Sequence, residues 1–210
     1  MSPANGPTTQ RRSSTIRCFQ WLSGTRTTLD VVEELIARDK IHQLADRYAL
    51  AVDGKDIDAL AALFVEDVEN GRYGPGREGV KTFYDNALRG LHCSMHLVAN
   101  HVIDFDDDSH AHGVVYCRAH HHVLDPEHWY DKALAYWDVY ERVGGDWLFR
   151  RRHLKSWYRQ EFGHPLHGTE RVEAQPGTEG ATRGSRMPEA FPTFDPFWSR
   201  PPRPIPTGSG

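Results

Sequence analysis

Asp53 occupies an awkward place in the chain. In "YALAVDGKD", Tyr48 to Asp56, apolar residues recur at helical spacing, and the carboxylate arrives in register with their face. Taken alone, Asp53 reads most simply as a cap on the helix end or on the "DGKD" turn. The alternative is a carboxylate aimed into a cavity, where burial and neighbours tune it for acid–base work. The thirteen histidines add more candidates, with "HAH" at 110–112 and "HHH" at 120–122. On a strand His120 and His122 share a face, as do His110 and His112, so either pair could chelate. Zinc sites, however, usually need three or four ligands and an ordered second shell. "HAH" also sits beside three aspartates, where surface exposure suffices, so no metal site is expected. His96, in "SMHLVAN", shares its strand face with Val98 and Asn100. Alone it reads as a satisfied strand histidine, and Asn100 as a group serving the backbone. Cys117 sits among small residues and reads as packing, with no base evident for a thiol nucleophile. "GPGREG" lacks the lysine and spacing of a phosphate loop. "RRRH", Arg150 to His153, alternates across a strand. It reads as a charged patch pairing with Glu141, although an arginine pointing inward would suit an anionic substrate.

Those residues need elements to hold them. Asp30 with Glu33 three residues on forms a capping-box pattern. Ile41, Leu44, Ala45, Tyr48, Ala49 and Val52 then continue at helical spacing until Gly54 supplies a C-terminal stop. Asp56 can cap a short second helix, "IDALAALF", and "REGVKTFYDNALRG" reads as a third, ended by Gly90. After Leu91 the period changes to two. Strands are expected at about 92–106, 110–124, 130–143 and 146–158, with turns at "DDDS", "DPEH" and "GGD". Helices first and antiparallel strands last make an α+β domain with segregated layers.

Composition sets the remaining bounds. With 210 residues, 39% hydrophobic and 11% aromatic, the chain suits one globular domain with tails. Residues 1–27 read as a disordered N-terminal extension, 28–162 as the domain, and 163–210 as a Pro/Gly-rich tail. Within that tail "AFPTFDPFW" places Phe191, Phe194, Phe197 and Trp198 close together. This stretch, 191–198, is expected to dock on the domain or on a partner. A formal charge of −4 with mixed signs gives no basic stripe for nucleic acid. No apolar run approaches the ~20 residues of a membrane span. Cys18, Cys93 and Cys117 are odd in number and widely spaced, which suggests reduced thiols in a cytoplasmic protein.

The strand faces imply a cavity. Ala111, Gly113, Val115, Cys117, Ala119, His121 and Val123 alternate along one face, and small side chains there leave room beneath a curved sheet. The next strand sets Tyr136, Asp138, Tyr140 and Arg142 against Ala135, Trp137 and Val139. Met95, Leu97, Ala99 and Ile103 alternate opposite His96. One face would pack on helices. The other, with Leu97, Trp137 and Val139, would bury itself in a second subunit, giving a homo-oligomer, a dimer or a trimer.

The order of helix, "AVDGKD", two further helices, "HLVAN", "YCRAHHH" and "AYWDVYERVGGDWLFRRRH" resembles the SnoaL-like group of the nuclear transport factor 2-like superfamily. The resemblance covers roughly residues 30 to 160. It implies a conical barrel, a highly curved antiparallel sheet packed around the N-terminal helix with two shorter helices. Relatives include ketosteroid isomerases, scytalone dehydratase, a bile-acid dehydratase and a hexachlorocyclohexane dehydrochlorinase, alongside non-enzymatic members. The dehydratases and the dehydrochlorinase carry an Asp near the end of the first helix and a His on the first long strand, which match Asp53 and His96. A second histidine of scytalone dehydratase matches His121 best, with His120 and His122 leaving the register open. The tyrosine that precedes the Asp in that enzyme is Val52 here, so Tyr48, one turn earlier, is the candidate pocket residue, and Tyr136 falls at another polar pocket position.

The chemistry implied by the resemblance is proton abstraction. Asp53 would fix the tautomer of His96, leaving its other nitrogen as a base. A positioned base contributes typically ~10²–10⁴-fold in rate. His121 or Tyr136 would donate to a leaving hydroxyl or an enolate oxygen. Tyr48, Asn100, Tyr136 and Cys117 would line the site. The expected activity is a cofactor-independent lyase (dehydratase) or isomerase acting on a small hydrophobic polyketide-, steroid- or aromatic-like molecule. The alternatives are a non-catalytic binder of hydrophobic ligands and an accessory oligomerisation module of the same fold.

Overall fold

In the computed structural model, residues 29–162 and 187–207 are described; the expectations for residues 1–27, for Cys18 and for 163–186 fall outside them. Helix α1, Val31–Asp53, starts where the capping box places it. The Asp30 side chain accepts from the amides of Val32 and Glu33, and Glu33 reaches back to the Asp30 amide. Ile41, Leu44, Ala45, Tyr48 and Val52 are buried along one face. Helix α2, Ile57–Ala62, is capped by Asp56. A 3-10 turn at Gly71–Tyr73 precedes helix α3, Gly76–Leu88.

Four strands follow: β1 Cys93–Phe105, β2 His110–Leu124, β3 Glu127–Val143 and β4 Asp146–Phe162. They form one antiparallel sheet in the order β1-β2-β3-β4. The β2–β3 connection is tighter than "DPEH" suggests, because pairing continues out to Leu124 and Glu127. The sheet curls around α1, which packs on β1 and β4. Val115, Tyr140 and Phe149 meet Ile41, Leu44 and Tyr48 in the core. Gly113 is required at its position. A Cβ there would lie 2.5 Å from the Val102 carbonyl oxygen and 3.2 Å from the Tyr140 ring. The fold is α+β with the sheet wrapped on the long helix.

The sheet has three register shifts, one of them leaving Trp157 as an extra residue in β4, and the other two decide which side chains face the cavity. In β1 the register shifts between Val98 and His101. His96 and Val98 face in before the shift; Ile103 and Phe105 are buried after it. In β4 the partner of Val139 is Arg151 while that of Tyr140 is Phe149, so Arg150 is an extra residue. Trp147 and Phe149 face in on one side of it, and Arg152 faces in on the other. Bulges of this kind re-aim the strand beyond them.

A last short helix, α4 (Phe194–Ser199), lies in the segment 187–207 and packs on the domain. Phe194 and Phe197 are buried, and Phe197 belongs to the main core.

Candidate functional site

Asp53 and His96 meet. The helix end carries Asp53 toward β1, where its Oδ1 accepts hydrogen bonds from His96 Nδ1 at 2.7 Å and from the Ser94 hydroxyl at 2.8 Å. Its Oδ2 accepts from the His96 backbone amide, also at 2.8 Å. An ionised carboxylate only accepts, so Nδ1 is the protonated nitrogen and Nε2 is left free. Both side chains are largely withdrawn from water, 13% exposed for Asp53 and 7% for His96. Ser94 was not anticipated. It shares the inner face two residues before His96, which is the only sequence signal for it.

His121 is the inward member of "HHH". It pairs across the sheet with Ser94, and its ring lies 5.6 Å from that of His96, edge to face. It stacks on Tyr130 at 4.5 Å, and its Nδ1 makes no hydrogen bond. Burial, then the neighbouring His96, pushes its pKa down to about 3, so the ring is neutral. His120 faces the other way and contacts Asp131, which also holds Arg118 at 2.5 Å. His122 stacks on Trp129 at 4.1 Å.

A cavity of about 420 Å³ opens beside the pair, lined among others by Tyr48, Tyr84, His96, His121, Tyr136 and Arg152. The Tyr48 and Tyr84 hydroxyls lie 3.1 Å apart. Burial raises the pKa of all three tyrosines, so they remain protonated donors. Arg152 sits among Tyr48, Tyr136 and Phe149, its guanidinium carbon 4.1–4.2 Å from each ring centre. Its Nε and Nη2 donate to the two oxygens of Asp138 at 3.0 and 2.7 Å. Desolvation pulls its pKa down, but Asp138 outweighs that and the net shift is upward. Tyr140 donates to the same carboxylate at 3.0 Å and lies 2.9 Å from His101 Nε2. Tyr84 and His101 carry no signal of a site role in the sequence, and Asp138 is marked there only by its alternation with Tyr136 and Tyr140.

Two expected site residues lie elsewhere. Asn100 is exposed and lines a concavity on the outer face of the sheet, because the β1 shift turns it away from His96. Cys117 is buried on the inner face but does not line the cavity. Desolvation pushes its thiol up to about 12, which leaves it inert. Among the described residues no group of three or more His, Cys, Asp or Glu could hold a metal ion. No described helix is long and apolar enough to cross a membrane.

The SnoaL-like domain family matches residues 33–153, more than half of the chain. The chain belongs to that family. Its fold is shared with a protein assigned as a scytalone dehydratase from Novosphingobium aromaticivorans, with 24% identity over 65% of this chain and 94% of that one, at a TM-score of 0.58. A hexachlorocyclohexane dehydrochlorinase, LinA type 2, is similar at 22% identity, covering 70% and 99% of the two chains, with a TM-score of 0.60. The LinA type 3 enzyme of Novosphingobium barchaimii gives 21%, 64% and 95%, and 0.59. Comparison with curated proteins finds no match.

Proposed function

We propose that this SnoaL-like protein is a cofactor-independent lyase or isomerase in which His96 removes a carbon-bound proton. The observation that carries this reading is the Asp53–His96 contact at 2.7 Å beside an open, aromatic-lined cavity. Asp53 holds Nδ1 and supports the imidazolium formed when Nε2 takes the proton. Tyr48, Tyr84 and Tyr136 offer hydroxyl protons to an oxygen that gains charge as the bond to carbon breaks. His121, neutral and buried, acts as a hydrogen-bond partner for a leaving hydroxyl and not as a strong acid. A substrate filling the aromatic-lined cavity would displace its water, which strengthens each of these contacts.

The substrate is small, largely apolar and neutral. Arg152 faces the cavity, but its charge is matched by Asp138, so an anion gains little there. Polyketide-, steroid- or aromatic-like ketones and alcohols fit this chemistry. Self-association belongs to the same proposal. The outer face holds a concavity of about 580 Å³ among Val102, Tyr116, Trp137 and Trp157, and Trp157 is 67% exposed. A cytoplasmic setting is supported by Cys93 and Cys117, both free thiols.

The experiment is a substrate panel assayed with wild type, Asp53→Asn and His96→Ala. Both variants should lose at least ~10²-fold in turnover while keeping their circular dichroism. Turnover near wild type in both would exclude the mechanism. Trp157→Glu should lower the oligomeric mass seen by light scattering, and an unchanged mass would remove the outer face as an interface.

A further inference from the structure

Asp53 is the last residue of α1, and the two residues after it are gripped from the far end of the chain. The Thr193 hydroxyl donates to the Gly54 carbonyl at 2.5 Å. Phe191 covers Gly54 so closely that a Cβ at position 54 would lie 2.9 Å from its ring. Lys55 adopts a left-handed backbone, φ 53°, uncommon for a residue with a side chain. Its ammonium is turned inward, and the residue is 2% exposed. Nζ donates to the Leu91 carbonyl at 2.8 Å and approaches the Leu88 carbonyl at 3.4 Å. Phe194, Phe197 and Trp198 close over it with ring centres 6.0, 5.3 and 5.4 Å away. Burial pulls its pKa down to about 8.

The same segment is pinned at its other end. Asp85, wholly buried, accepts from the Arg203 amide at 2.6 Å and from Arg200 at 2.7 Å. Arg89 donates to the Phe197 carbonyl at 3.1 Å, and Asn86 to the Arg203 carbonyl at 2.9 Å. The segment thus spans the end of α1 and the end of α3. Leu88 and Leu91, whose carbonyls hold Lys55, line the cavity, whereas no residue of 187–207 does. It is therefore no lid. A left-handed backbone and a buried ammonium are both costly, and persist only where surrounding structure over-determines them.

We propose that residues 187–207 are a clamp that positions Asp53. By fixing Gly54 and Lys55 they hold the last turn of α1, and with it the carboxylate that orients His96. The inference rests on the role proposed for that pair, and it makes Thr193, Phe194, Lys55 and Trp198 positioning residues. Without the aromatic cover the Lys55 ammonium would turn to water, its backbone would relax, and the end of α1 would fray. A displacement of about 1 Å at such a site can cost ~10²-fold in rate.

The test reads the carboxylate's own hydrogen bonds and needs no substrate. In full-length Phe194→Ala/Trp198→Ala, the His96 Nδ1 proton resonance should broaden or vanish. Exchange of the His96 amide, bonded to Asp53 Oδ2, should accelerate by roughly 10-fold or more, while the Val115 and Leu134 amides at the centre of the sheet exchange as in wild type. Thr193→Val, which removes one hydrogen bond and little volume, should give the same pattern at about 3-fold, and serves if the double variant does not fold. Wild-type exchange at His96 in Thr193→Val, or in a folded double variant whose 187–207 segment has become protease-sensitive, overturns the clamp. Uniform acceleration across the sheet would also overturn it, showing a merely stabilising segment. Should Asp53→Asn leave turnover intact, the catalytic reading falls, yet these exchange rates still judge the clamp.

Discussion

Asp53→Asn should invert the tautomer of His96. In the wild-type arrangement Oδ1 accepts two hydrogen bonds and Oδ2 one, from Ser94, the His96 ring and the His96 amide. An asparagine must place one NH2 and one oxygen in those positions. With NH2 at Oδ2, two donors confront each other, the side-chain NH2 and the His96 amide. With NH2 at Oδ1, the oxygen still serves the amide, and Ser94 can rotate its hydroxyl to accept. The second placement wins, because an unsatisfied buried donor costs about 1–3 kcal/mol. It leaves an amide donor facing His96 Nδ1, which can accept only as a bare nitrogen. The proton must then sit on Nε2, the nitrogen needed as a base. An equilibrium between tautomers biased by about 1–3 kcal/mol leaves roughly one ring in six to one in a hundred and fifty in the competent form. The charge that supports the imidazolium is also gone, so a loss toward ~10⁴-fold in turnover is expected. Long-range proton–nitrogen correlation spectra of uniformly labelled protein distinguish the two nitrogens directly. Wild type should show a bare Nε2 and Asp53→Asn a bare Nδ1. A bare Nε2 in both would refute the reasoning, whatever the activity.

Acid should destabilise the fold through two neutral histidines. Burial, the largest cause for each, lowers both His121 and His101 from 6.5 to about 3. The unfolded chain therefore binds more protons between those values, and stability falls as pH drops through that window. At pH 5 each contributes up to about 2 kcal/mol of loss. Urea titrations at pH 7 and pH 5 should show a smaller difference in His121→Gln than in wild type. Gly113→Ala should cost roughly 1–3 kcal/mol, because its Cβ would meet the Val102 carbonyl at 2.5 Å; a melting temperature unchanged in calorimetry would contradict the close approach. Asp138→Asn should unmask Arg152 and raise the affinity for small aromatic carboxylates over their neutral amides, measured by calorimetric titration; equal affinities would show that Asp138 is not what cancels the charge.

The sequence carried the helices and the carboxylate well because their signals are local. The Asp30–Glu33 box, the stripe from Ile41 to Val52 and the stop at Gly54 together fix the length of α1, and that length delivers Asp53 to β1. The inward face of β2 was equally plain, since its alternation runs unbroken from Ala111 to His121. Strands β1 and β4 were harder, because extra residues reverse the alternation, one in β1 and two, Arg150 and Trp157, in β4. Asn100 was placed beside His96 by a period of two that the shift after Val98 interrupts. A trace of the shift was present: His96 and Val98 occupy even positions, while the buried Ile103 and Phe105 occupy odd ones. Arg152 was hidden in the same way, since Trp147 and Phe149 predict that Arg151 faces in. Tyr84 follows from tertiary contacts with no periodic sign, whereas Asp138 shares the inward period of Tyr136 and Tyr140 and only its pairing with Arg152 was hidden. The clamp depends on contacts spanning 139 residues between Gly54 and Thr193, visible beforehand only as a cluster of aromatics in a proline-broken tail.

Two carboxylates withdrawn from water, Asp138 and Asp53, flank the cavity differently, and the difference lies in what each leaves unpaired. Asp138 takes two nitrogens of Arg152 and the Tyr140 hydroxyl, so its charge and that of the guanidinium are spent on each other. Breaking such a pair by removing one partner typically costs about 3–5 kcal/mol, which makes it a fixed part of the wall. Asp53 takes one ring nitrogen of a residue that has two, and that residue lines the cavity. The first pair is closed to a ligand's charge, while the second is the one proposed to offer a base. A wall of tyrosine hydroxyls then supplies donors without supplying a net charge. That combination favours a neutral molecule with an acidic carbon–hydrogen bond and an oxygen to receive the hydroxyl protons, and it disfavours both phosphates and amines.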